Sequence, residues 1–233
     1  MVNGIIKELK KNANHEKAKV LTRFFKTGKG EYGEGDKFIG LTNPQIRAIV
    51  RKYKTISVSK LTPLIKSEIH EFRLTALLIL VEQFKKGDDI KKKKIFNFYL
   101  KNIKSVNNWD LVDLTSHHII GAYLFDKDKT LLYDFAETDN LWLKRIAIIS
   151  SFYFIRKNEF KDTINISEIL LNDKHDLIHK AVGWMLREIG KRDTNTEEEF
   201  LIKRYKMMPR TMLRYAIEKF PDEKRQKYLK GEI

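Results

Sequence analysis

Phe72-Arg73-Leu74-Thr75-Ala76-Leu77-Leu78-Ile79-Leu80-Val81 is the stretch on which the fold turns. It has no Gly or Pro and is apolar nearly all round, so it predicts a helix buried on every side. Its inner phrase places a cation three residues before a small residue, Arg73 before Ala76. The same phrase returns as Lys144-Arg145-Ile146-Ala147 and Lys180-Ala181-Val182-Gly183, with a weaker echo at Arg214-Tyr215-Ala216. The small residues lie 71, 36 and 33 positions apart, and the first interval is close to two of the later ones. The skipped repeat is the one that holds Trp109 and Asp113. A period in the thirties built from helix pairs predicts an α-solenoid, with the small residue letting neighbouring helices approach. Tetratricopeptide spacing fits, but its Trp-Leu-Gly-Tyr signature is absent, so HEAT-like repeats fit better.

The rest of the chain agrees with an all-α reading. Leu143–Ile155 and His179–Ile189 predict further buried helices, and Lys94–Leu100 and Thr130–Ala136 predict amphipathic ones. Asn43-Pro44 and Thr62-Pro63 read as capping residues followed by first-turn prolines. No alternating run calls for a strand, and the total comes to roughly a dozen helices of ordinary length. Stacked repeats align equivalent residues, so Arg73, Lys144, Arg145, Lys180 and Arg214 are expected to line a concave basic face.

Composition narrows the function. The 233 residues carry 46 Lys+Arg against 31 Asp+Glu, a formal charge of +15, which draws the chain to polyanions and to nucleic acid first. There is no cysteine, which excludes disulfides, thiol nucleophiles and iron–sulfur clusters. Neither His117-His118 nor the Asn172–Asp176 stretch has metal-ligand spacing, so no metal and no cofactor are expected. The longest apolar runs fall short of the ~18 residues of a membrane span, and the first residues lack a signal-peptide core. The expectation is a soluble cytoplasmic monomer, nucleoid-associated through DNA, with no membrane partner. Lys91–Lys94 reads as a solvated face, and Trp142 as core.

Trp109 and Asp113, in Asn107-Asn108-Trp109-Asp110-Leu111-Val112-Asp113, are four apart and so share one helical face. An aromatic beside a carboxylate on a basic chain suggests chemistry on an anionic polymer. From the residues alone, Asp110 and Asp113 fit equally the first turns of a helix behind an Asn108 cap.

Four phrases in order resemble the AlkD family of DNA glycosylases, HEAT-like repeat proteins that excise alkylated purines. They are Phe38-Ile39-Gly40-Leu41 with Thr42-Asn43-Pro44, then Trp109-Asp110-Leu111-Val112-Asp113, then Trp142-Leu143-Lys144-Arg145 with Ala147-Ile148, and finally Lys180-Ala181-Val182-Gly183-Trp184-Met185-Leu186-Arg187-Glu188. The resemblance spans most of the chain and implies a single HEAT-like domain over 1–233. It implies that Asp113 is catalytic, that Trp109 and Trp184 flank the deoxyribose, and that Arg145 contacts the backbone near the lesion. Tyr32 is the nearest match to an aromatic that approaches DNA, within a glycine-rich loop. Many members carry a second aromatic where this chain has Asn108. Lys144, Lys180, Arg73 and Arg187 are candidate phosphate contacts.

The implied reaction is base excision repair by a monofunctional glycosylase acting on 3-methyladenine and 7-methylguanine in double-stranded DNA. The alternatives are a non-catalytic DNA-binding protein of the same family and a helical scaffold for acidic proteins.

Overall fold

The structure, a computed structural model, describes residues 2–233. Among them the regular structure is helical, apart from one isolated parallel bridge between Lys37 and Ile69. Contacts divide the chain into two compact units, residues 1–119 and 120–233. The first holds α1 (Val2–Lys11), α2 (His15–Phe24), α3 (Asn43–Tyr53), α4 (Thr62–Ile65), α5 (His70–Lys86), α6 (Asp89–Lys101) and α7 (Trp109–Asp113). The second holds α8 (Ala122–Leu124), α9 (Thr130–Glu137), α10 (Leu141–Ser150), α11 (Phe152–Ile155), α12 (Lys161–Ile169), α13 (Asp176–Gly190), α14 (Thr194–Arg204), α15 (Arg210–Ala216) and α16 (Asp222–Lys230).

The predicted central helix is α5, and it is buried on every side from His70 to Val81. It packs against α1, α3, α4, α6 and α7, so it is the axis of the first unit. The second unit shows the repeat most directly. Its three small residues, Ala147 on α10, Gly183 on α13 and Ala216 on α15, are all buried. α10 packs on α13 and α13 on α15, so the small-residue helices form one layer. α12 contacts α9 and α13, and α14 contacts α13. The chain is therefore an all-α helical-repeat protein.

Among the described residues twelve α-helices run from seven to seventeen residues, the dozen of ordinary length expected, and four more, α4, α7, α8 and α11, have only three to five. The predicted Leu143–Ile155 helix is two pieces, α10 and α11, broken at Ser151. The Ser151 hydroxyl donates to the Ile148 carbonyl at 2.7 Å, a back-bond that competes with the helical ladder. The prolines also sit one residue further in than expected. Thr42, not Asn43, caps α3, in a reciprocal capping box with Gln45. α4 starts at Thr62 behind Leu61. Lys91–Lys94 lies on the solvated side of α6, while Trp142 is half-buried rather than core.

Gly183 shows why the repeat needs a small residue. A Cβ there would run into the Met212 carbonyl oxygen and stand 2.6 Å from Tyr215 Cβ, both contributed by the α15 side of the layer. Gly183→Ala must therefore push α13 and α15 apart. Overpacking of this kind costs about 1–3 kcal/mol, so the urea midpoint should fall with little change in slope. An unchanged midpoint would show that the close approach is not what the position requires.

Candidate active site

α7 is only five residues long, and its placement depends on groups far away in sequence. Asn108 caps it, its Oδ1 accepting from the Trp109 backbone N–H at 2.9 Å. The Asn108 amide also donates to Asp36 Oδ2 at 2.9 Å, from the glycine-rich loop. Asn108 is fully buried. Asn108 is thus both the cap of α7 and its tether to the loop.

Asp36 lies at the centre of a buried charge cluster. His70 Nδ1 donates to Asp36 Oδ2 at 3.0 Å, and His70 Nε2 donates to Asp110 Oδ2 at 2.8 Å. Arg73 pairs with the other Asp36 oxygen and donates to the Ser67 carbonyl at 2.9 Å. Asp110 Oδ1 accepts from the Leu111 N–H at 2.8 Å. With His70 protonated, two carboxylates face two cations and the cluster is neutral. Burial alone would strip the proton from His70, but Asp110 and Asp36 outweigh it and raise the imidazole to about 9. Burial likewise works against ionised Asp36, yet the bonds from His70, Arg73 and Asn108 hold its carboxyl below the usual range.

Glu71, next to His70 on α5, fixes the Phe38–Leu41 stretch. Its carboxylate accepts from the backbone N–H groups of Ile39, Gly40 and Leu41, at 3.1, 2.8 and 3.2 Å. Gly40 has φ +85°, and a Cβ there would strike the Asn14 carbonyl oxygen. The glycine of the Phe-Ile-Gly-Leu phrase is thus demanded by backbone conformation and by the approach of the α2 start.

Above this base is an aromatic stack. Trp109 stacks on Phe25 (5.2 Å, 15°), Phe25 on Phe38 (4.9 Å, 21°) and Phe38 on His70 (4.6 Å, 23°). Phe24 meets Trp109 edge-on at 5.9 Å. A cavity of about 410 Å³ opens against these rings, lined also by Val20, Leu21, Asp110 and Asp113. Trp109 and Asp113 both line it, as their four-residue spacing requires. Chemically, it sets a carboxylate at the edge of an aromatic wall, a setting suited to a ring that acquires positive charge.

The expected phosphate contacts turn out differently. Arg73 is 4% exposed and committed to Asp36, so it cannot stand on a basic surface row. Arg145 is also 4% exposed, and its guanidinium donates to the Leu177 carbonyl. Lys144 pairs with Asp173 at 2.7 Å, Lys180 with Asp176 at 2.7 Å, and Arg187 with Glu218. Trp184 is half-buried, tilted against Phe152 at 5.8 Å, with Nε1 donating to Glu188 at 3.2 Å. Tyr32 is half-buried beside Lys26 and is not among the residues lining the cavity.

Asp36, His70 and Glu71 were not anticipated. The only local signal was three charges, His70, Glu71 and Arg73, opening an otherwise greasy helix. Their partners lie thirty or more residues away, out of reach of spacing arguments.

The cluster makes stability depend on alkaline pH. His70 holds its proton up to about 9 when folded, against 6.5 for an ordinary histidine. Its contribution is therefore complete below about 6.5 and drains away as pH rises through about 9. Urea midpoints of the wild type should fall across that window, and those of His70→Gln should start lower and change less. A constant gap between the two from pH 6 to 10 would contradict the cluster's protonated state.

The family model for the DNA alkylation repair enzyme matches residues 5–220. Among solved structures, one described as a predicted DNA alkylation repair enzyme from Enterococcus faecalis superposes with a TM-score of 0.71 at 17% identity, covering 91% of this chain and 98% of that one. At that identity the likeness speaks for the fold. No curated protein matches the chain. With nearly its whole length matched by the family model, the chain belongs to the DNA alkylation repair enzyme family.

Proposed function

We propose that this protein is a monofunctional DNA glycosylase that releases cationic alkylated purines, of the 3-methyladenine and 7-methylguanine type, from duplex DNA. The observation that carries the reading is Asp113 beside Trp109 on the wall of one aromatic cavity, in a chain of the alkylation repair family.

A purine alkylated at ring nitrogen three or seven is already positively charged. When its bond to the sugar carbon C1′ breaks, the electron pair leaves with the base and neutralises it, so no general acid is needed. The charge passes to the sugar, which becomes oxocarbenium-like. The Asp113 carboxylate stabilises that charge and orients the water that adds to C1′, accepting the proton the water sheds. Trp109 offers its ring to the same developing cation. Trp184, in the second unit, is a further proposed sugar contact. Arg145 and the paired lysines serve the backbone only where an incoming phosphate displaces their present partners.

The test is release of 7-methylguanine from methylated duplex DNA by the wild type and by Asp113→Asn. We expect the variant to lose about 10²-fold or more of the excision rate while its affinity for the duplex stays within a factor of two or three. Excision by the variant at the wild-type rate, or no wild-type release above the spontaneous rate, would overturn the assignment. Binding without release would leave a non-catalytic DNA-binding member of the family.

A further inference from the structure

We propose that a groove of the second unit, walled by Arg210, Arg214 and Arg225, is a binding site for the phosphodiester oxygens of duplex DNA. The inference rests on the DNA-directed reading above, but it joins Arg214 of the expected basic row to Arg210 and Arg225, which that reading does not use.

The groove encloses about 680 Å³ between residues of α13, α15 and α16. Four cations line it, Lys180, Arg210, Arg214 and Arg225, together with two carboxylates, Asp176 and Glu218. The carboxylates are already satisfied by other groups. Asp176 pairs with Lys180 at 2.7 Å, and Glu218 pairs with Arg187 and lies 3.3 Å from Lys219. The three arginines are left in excess. Arg214 is exposed and, among the described residues, makes no hydrogen bond or ion pair. Arg210 is exposed and donates a single N–H to the Leu229 carbonyl at 2.7 Å, keeping the rest of its fork. Arg225 has only a long 3.4 Å contact with Asp222 one turn before it.

Arg210 and Arg214 are four apart on α15, so two like charges share one face of a short helix, where they repel. A bound anion removes that repulsion. Guanidinium forks bind phosphate oxygens in pairs, and Tyr215 and Gln226 line the same groove with neutral donors. The groove is larger than one phosphate and draws its arginines from two helices, which suits successive phosphates of a polymer. Arg73, Arg145 and Lys144 are committed elsewhere, so these arginines are the better-exposed candidates for salt-dependent contact.

The test measures binding of a fluorescein-labelled undamaged duplex by anisotropy across a series of KCl concentrations. It compares the wild type, the triple variant Arg210→Gln, Arg214→Gln, Arg225→Gln, and a control triple Lys91→Gln, Lys93→Gln, Lys94→Gln on the solvated face of α6. Both triples lower the formal +15 by the same amount. With each phosphate contact contributing about 0.9 to the log–log slope, the arginine triple should lose about two to three units of slope and at least tenfold in affinity at moderate salt. The lysine triple should lose much less. Equal losses in the two triples, or an arginine triple with the wild-type slope, would overturn the site while leaving DNA binding intact. A wild type without salt-dependent binding would overturn this inference and the reading beneath it together. Loss of binding to anionic phospholipid vesicles with DNA binding unchanged would assign the groove to a membrane instead.

Discussion

A protonated histidine held between two carboxylates is the constraint on which the first unit is built. His70 reaches Asp36 on one side and Asp110 on the other, and so joins the glycine-rich loop, the central helix α5 and the short helix α7 at one point. Five residues of helix cannot hold themselves in place; an isolated turn is unfavourable in water. α7 has its position because its cap, Asn108, and its first acid, Asp110, are both tied into this cluster. Buried ions are costly to desolvate, and removing one partner leaves another uncompensated. That asymmetry makes the cluster a device for specifying one geometry more than a source of net stability. The geometry it specifies is the one that sets Trp109 and Asp113 on a common wall.

The aromatic stack carries the same constraint outward. His70, Phe38 and Phe25 pack against one another in a triangle, and Phe25 stacks on Trp109, so the position of the indole follows from the imidazole through Phe25. Glu71 supports the arrangement from the side by taking three backbone N–H groups of the Phe38–Leu41 stretch. The phrase Phe-Ile-Gly-Leu is thus chiefly structural here. Phe38 is a ring in the stack, Gly40 is a backbone conformation, and Leu41 is core.

Much of this was legible in the sequence, and the limit has a physical form. Patterns with a short period were read well: α5 as a helix buried all round, α13 across Gly183, and the shared face of Trp109 and Asp113. Small residues at the repeat spacing signalled close helix packing, and Gly183 against α15 is that packing. What composition could not reveal was which charges are sequestered. Arg73 and Arg145 look like members of a basic row when only the repeat is considered, yet a buried carboxylate claims the first and a backbone carbonyl the second. Asp36 gave no sign of its role, since its partners lie 34, 37 and 72 residues away. Helix breaks were equally hidden, because Ser151 ends α10 through a side-chain bond that any helical serine can make.

The pairing of the expected cations bears on how a protein with so large a positive charge meets DNA. A cation locked to a carboxylate forms a net-neutral pair, so it adds little to the long-range field and releases no counterion at contact. Long-range attraction comes from the uncompensated excess of positive charge, and short-range grip from those cations that stand where a phosphate can reach them. The field comes from the whole excess of lysine and arginine, including the solvated α6 face, and it speeds encounter. The grip must come from cations with unfilled donors at the surface, or from pairs weak enough for phosphate to displace. Exposed pairs such as Lys180 with Asp176 contribute little stability and exchange readily, whereas Arg73 with Asp36 is buried and costly to break. A row of cations read from a repeat therefore divides, on physical grounds, into those that build the protein and those that can bind a phosphate, and burial decides which is which.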